Sequence, residues 1–123
     1  KMNSGEAFNA VKEKLLSIIF TAHPEMKTKE FDEMMEKWGN FESVIRGIQI
    51  VGVPYAGPIL DKQNDDDNLF ALMNTASYLA GGSSDTRWWE ESFSELPPTE
   101  RKTFHACIYV LFSLAFNSEE VKK

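Results

Sequence analysis

Apolar residues along this chain recur at intervals of three and four rather than two, which gathers them on one face of a helix rather than one face of a strand. Phe8, Val11, Leu15, Ile18, Ile19 and Ala22 follow that rule. They predict a first helix over residues 5–22, capped by Ser4 and ended at His23-Pro24, because the residue before a proline avoids the α region. A second helix is predicted over 29–38, with Thr28 as its N-cap, Phe31, Met34, Met35 and Trp38 on its apolar side, and Gly39 as a left-handed stop.

The third segment is ambiguous by composition. Val44, Ile45, Ile48, Ile50, Val51 and Val53 are β-branched and compatible with a strand. The spacing of Phe41, Val44, Ile45, Ile48 and Val51, behind Asn40 as a cap, predicts a helix over 41–51 instead, weakened by Gly47. The following stretch GVPYAGP, residues 52–58, holds two prolines and two glycines and reads as a structured turn that lines a pocket.

A fourth helix is predicted over 68–80 from Leu69, Leu72, Met73, Ala76, Tyr78 and Leu79, ended by Gly81-Gly82. A fifth is predicted over 86–96 behind Ser84 and Asp85, with Trp88, Trp89, Phe93 and Leu96 on its face and Glu90, Glu91 and Glu95 between them. Pro97-Pro98 separate it from a sixth, which starts at Pro98 or Thr99, runs to Phe116 and after Ala106 has little polar face. A helix apolar all round is a central one. The predicted fold is therefore all-α: a single domain over residues 1–123, a compact bundle of about six helices around the C-terminal one. The first, third and fourth helices are expected to pack against it, and the tail after Phe116 to fray.

Charge changes this picture in one region. The net charge is −6, yet residues 61–100 alone carry nine acidic and two basic side chains. Asp65, Asp66 and Asp67 stand in a row just before the fourth predicted helix. One or two aspartates suffice to cap that helix and meet its dipole; three, with Asp61 before them, exceed what capping needs. Without a basic stripe, direct nucleic-acid binding is not expected.

Catalysis and metals find no motif. The stretch from Asp61 superficially resembles a calcium loop, but Asp66 and Leu72 occupy the positions where an EF-hand needs Gly and Glu. His23, His105 and the single Cys107 make no zinc pattern. Cys107 lies among apolar neighbours, where burial raises a thiol pKa and makes it inert. His105, two residues away, points to another face and is no base for it. Gly-x-Ser-x-Gly and the phosphate loop are both absent, and carboxylate pairs such as Glu90 with Glu95 or Asp66 with Asp85 carry no signal of their own. No enzyme activity, cofactor or metal is expected.

Trp88 and Trp89 are adjacent, hence about 100 degrees apart on a helix, so a short helix rarely buries both. An indole rimmed by Asp85, Glu90 and Glu91 suits a basic protein partner. The candidate partner-binding residues are Asp61, Asp65, Asp66, Asp67, Asp85, Trp88, Trp89, Glu90, Glu91 and Glu95.

In size, acidity and lack of a catalytic motif the chain resembles the bacterial immunity proteins that neutralise toxins of the contact-dependent inhibition or colicin type. The resemblance is one of general profile, and no residue is carried over by it. It implies a nuclease-like cognate toxin with a basic cleft as partner, the acidic side chains standing in for phosphates. Two other readings compete: a helical regulator sensing a ligand near residues 51–58 and Met34, Met35 and Met73, and an adaptor that self-associates through Trp88-Trp89. Cysteine usage, the absence of a secretory signal at the start, where Met2 reads as the native first residue, and the lack of a membrane span lead to an expected cytoplasmic location.

Overall fold

The structure, a computed structural model, describes residues 3–61, 67, 69–71 and 87–116, with the backbone alone for 87–89 and 92. Every regular element among them is helical: α1 (Ser4–Ala22), a 3-10 turn (Pro24–Met26), α2 (Lys29–Trp38), α3 (Phe41–Val51), α4 (Val53–Leu60), α5 (Arg87–Glu95) and α6 (Pro98–Phe116). Asp67 and residues 69–71 are also helical, and fall in the fourth helix that the sequence predicts. The rest of that helix, 72–80, lies outside the described residues, as do its glycine stop and the tail after Phe116.

The helix starts follow from short polar side chains. Asn3, not Ser4, caps α1: its side chain accepts from the Glu6 N–H at 2.8 Å while the Glu6 carboxylate receives the Asn3 N–H at 3.5 Å. Only a cap at position 3 puts a glutamate three residues later, so the reciprocal pair displaces the start by one residue from the sequence expectation. Thr28 caps α2 as expected, accepting from the Phe31 N–H at 3.1 Å. Asn40 serves two helices at once, accepting from the Ser43 N–H at 2.9 Å and donating to the Lys37 carbonyl at 3.1 Å. That double use fixes the tight corner between α2 and α3.

Gly39 ends α2 with φ −91°, so the expected left-handed stop is not what it provides. A Cβ there would lie 2.6 Å from the Met35 carbonyl oxygen, and close approach is the reason for glycine.

The stretch 52–58, expected as a turn, is instead the bend into α4. Pro54 stands in the first turn of α4, where its missing N–H has no intrahelical acceptor to lose, and the Asp61 N–H closes the far end on the Gly57 carbonyl at 3.0 Å. Pro58 inside the helix costs a hydrogen bond, yet Tyr55, Ala56, Pro58, Ile59 and Leu60 are partly buried and α4 packs on α6. Tertiary packing overrides the local punctuation here.

Packing confirms α6 as the central helix. It contacts α1 and α3, as expected, and also α4, where a turn was expected, and it buries Phe104, Cys107, Leu111, Phe112 and Ala115. Ile18 of α1, Leu69, Phe93 of α5 and Phe104 form one buried cluster, flanked by Leu15, Ile19, Phe70, Leu96 and Ile108. The Phe93 ring meets Phe70 edge-on with centroids 5.5 Å apart and lies tilted on Phe104 at 5.4 Å, so α5 is anchored to the core through that ring. At the other end of α6, Gln49 of α3 donates to the Ala115 carbonyl at 3.0 Å, satisfying an acceptor in the last helical turn.

Among the described residues no single helix is long and apolar enough to cross a membrane. Helices α3 and α4 reach that length and composition only when taken together across their 96° bend.

Candidate partner-binding surface

Of the ten residues singled out from the sequence, Asp65, Asp66 and Asp85 lie outside the described residues, and Trp88 and Trp89 are described only as backbone positions of α5. The other five can be placed. Asp61 is the exposed C-cap of α4; Asp67 is exposed in the helical segment ahead of Leu69; Glu91 and Glu95 are exposed and Glu90 is half-buried on α5.

Helix α5 brings two of these together. Phe93 is buried to under 2 % and fixes which way the helix faces. Glu91 and Glu95 are one turn apart, and α-helical register sets both far around the helix from Phe93. Like charges at that spacing repel by roughly 0.2–0.5 kcal/mol. Among the described residues, the ion pairs are His23 with Glu25, Lys29 with Glu33, and Arg46 with Glu42, and none of them involves Asp61, Glu90, Glu91 or Glu95.

Position along the helices sharpens the point. Glu95 is the last residue of α5 and Asp61 is the C-cap of α4, and neither helix has a basic residue in its last turn. Carboxylates at helix C-termini face the negative end of the dipole, an unfavourable arrangement of roughly 0.3–1 kcal/mol each. The capping argument that accounts for an aspartate ahead of a helix therefore fails for Asp61, which sits behind one. Local choices that oppose the stability of their own elements are expected at binding sites.

The other candidate chemistry resolves as follows. Cys107 is buried, and burial pushes its thiol above the ordinary range, with nearby Lys14 pulling weakly the other way. His105 lies against the Phe93 ring at 5.5 Å between centroids. His23 is hydrogen-bonded through Nδ1 to the Glu25 carboxylate at 2.8 Å, and that bond holds Glu25 below the usual glutamate range, with help from its own backbone N–H. Among the described residues no three His, Cys, Asp or Glu side chains converge as metal ligands would. The turn that the ligand-sensing reading relied on is the bend and body of α4, and Met73 lies outside the described residues.

Sequence reasoning missed one surface. Helix α2 has an apolar stripe, yet none of its residues is buried, and Met34 and Trp38 are 46 % and 60 % exposed. The helical spacing was legible; that none of the described residues covers the outer edge of the stripe was not, because periodicity reports a face and not what meets it.

Compared with protein-family models, with curated proteins and with solved structures, the chain matches none of them. What the geometry defines is an all-helical protein with acidic side chains at helix ends.

Proposed function

We propose that the chain is a non-catalytic binding protein that docks a basic protein through the acidic side chains of residues 61–100, and that the partner is a nuclease-like toxin which it neutralises. The observation that carries the reading is the placement of Asp61 and Glu95 at helix C-termini and the one-turn spacing of Glu91 and Glu95. In the free protein these charges oppose one another and the helix dipoles. A cationic partner relieves both conflicts at once, so the same residues that lower the stability of the isolated chain raise its affinity.

Trp88 or Trp89, adjacent in sequence to Glu90 and Glu91, would supply the aromatic centre of the contact. An indole there would slow dissociation while the carboxylates speed encounter.

The test is kinetic. With the partner recovered from the native cell, association is followed at low and physiological salt for the wild type and for Glu91→Lys/Glu95→Lys. Charge docking predicts an on-rate that falls steeply with salt in the wild type and is at least about tenfold lower at low salt in the variant, with the off-rate little changed. An on-rate indifferent to both salt and charge reversal, with the helical content intact, would remove the docking role.

A further inference from the structure

Helices α3 and α4 together have the length and composition of a membrane span, but they are bent by 96° at Gly52 and do not form one straight crossing. Residues 47–60, which make up this corner, carry no charged side chain. Burial ordinarily explains so apolar a stretch, and it does explain the inner face: Ile45 is buried, and Gly52 packs against the Phe112 ring. It leaves the outer face unexplained. Ile50 and Val53 are 68 % and 60 % exposed, and Pro54 and Gly57 are exposed with them. Gly52 keeps α-region angles, so Ile50 and Val53, three positions apart, are neighbours across the corner.

The order of residues along the two outer faces selects a lipid surface. Arg46 stands one turn before Ile50 and Asp61 one turn after Gly57, and both are exposed. Arg46 is paired at 3.0 Å with Glu42, a further turn back. The corner therefore runs from an uncharged tip to charges of both signs about 5 Å behind it, the order in which a bilayer passes from acyl chains to zwitterionic head groups. Its backbone suits that depth. The Gly52 N–H donates to the Ile48 carbonyl at 2.7 Å, the Tyr55 N–H donates to the Gly52 carbonyl at 2.9 Å, and Pro54 has no N–H to satisfy. A protein partner is disfavoured because Ile50, Val53 and Pro54 offer it no hydrogen bond or charge to be oriented by. The net charge of −6 disfavours both anionic lipid and a second copy of the chain.

We infer that the corner between α3 and α4 is a membrane-docking tip, which inserts Ile50 and Val53 into the acyl boundary of a zwitterionic bilayer while Glu42, Arg46 and Asp61 stay among the head groups. The contact is shallow and reversible, because the inner faces of both helices remain packed on α6. It does not rest on the docking role of residues 61–100.

The experiment is sedimentation of the full chain with phosphatidylcholine vesicles, joined to ¹⁵N NMR in phosphatidylcholine bicelles that carry a nitroxide on the acyl chain. The inference expects partition that is unchanged between low and physiological salt and that falls when phosphatidylserine replaces part of the phosphatidylcholine. Partition is expected to be at least about tenfold weaker for Ile50→Ser/Val53→Ser and retained in Ile50→Leu/Val53→Ile. Nitroxide broadening is expected at residues 50–57 and not at 29–38. Trp38→Ser, at another exposed apolar site, is expected to leave partition in place, as is Glu91→Lys/Glu95→Lys, which separates this contact from the one proposed above. No partition into phosphatidylcholine, stronger partition with phosphatidylserine, undiminished partition of a folded Ile50→Ser/Val53→Ser, or broadening that avoids the corner would each overturn it. So would Ile50-dependent self-association in sedimentation without lipid.

Discussion

Two glycines of the same helical corner are expected to respond to alanine in opposite directions. At Gly47, inside α3, a Cβ would meet nothing within 4 Å, so Gly47→Ala gains the helix propensity of alanine, roughly 0.5–1 kcal/mol. At Gly52, the joint between α3 and α4, the same atom would lie 2.5 Å from the Ile48 carbonyl oxygen and 3.0 Å from two carbons of the Phe112 ring. Neither neighbour yields easily. The carbonyl accepts the Gly52 N–H at 2.7 Å, and Phe112 is 1 % exposed in the centre of the packing. Overpacking of this kind costs about 1–3 kcal/mol, more than the roughly 0.4–1 kcal/mol that alanine gains through the unfolded state. Urea denaturation reads the balance: with a slope of about 1–3 kcal/mol/M, a change near 1 kcal/mol moves the midpoint by about 0.3–1 M, upward for Gly47→Ala and downward for Gly52→Ala. Part of the Gly52→Ala loss should be recovered in the Phe112→Leu background, since the two side chains share one space. If Gly52→Ala raised the midpoint as Gly47→Ala does, the bend would not pack on Phe112, and the account of why residues 53–60 form a helix would be wrong.

The remaining predictions concern single groups. Asn40→Ala should lower stability by about 1–2 kcal/mol in the same assay, because it removes a hydrogen bond from each of two helix ends, whereas Asn40→Asp, which keeps the acceptor for Ser43, should lose less. Glu25 should titrate below the ordinary 4.5 because His23 donates to it. A carboxylate depressed in the folded state adds stability above its unfolded pKa, and that part is lost as pH falls through the folded value. NMR titration should show Glu25 returning toward 4.5 in His23→Ala, and an unmoved curve would refute the pairing. Cys107 should react with a thiol reagent far more slowly in the native protein than in denaturant, since burial both shields the sulfur and raises its pKa.

Much of the fold was legible in the sequence because helix ends and faces are local properties. The spacing of Phe41, Val44, Ile45, Ile48 and Val51 outweighed their β-branching, and α3 is a helix. Thr28, Asn40 and Pro98 mark α-helix starts where expected. The failures share a cause. Residues 53–60 carry every local sign of a loop, and only the apolar surface of α6, distant in sequence, makes them helical. Gly39 reads as a left-handed stop until the neighbouring Met35 carbonyl shows a reason of space instead. The proposed acidic site was partly legible: composition located the excess between 61 and 100, but the position of Asp61 behind a helix depended on recognising α4. Trp38 was assigned to the apolar side of its helix, and its exposure was not legible, since coverage is a property of the assembled helices.

The central claim is that carboxylates set against their own helix dipoles wait for a cationic protein. It is met most directly by capturing partners from the native cell at physiological salt with the wild type and, in parallel, with Asp61→Lys/Glu91→Lys/Glu95→Lys, and quantifying both by mass spectrometry. The account predicts one strongly basic protein enriched by the wild type and lost with the variant, while circular dichroism of the two chains agrees. Retention of the same partner by the folded variant, or enrichment of an acidic one, would contradict it.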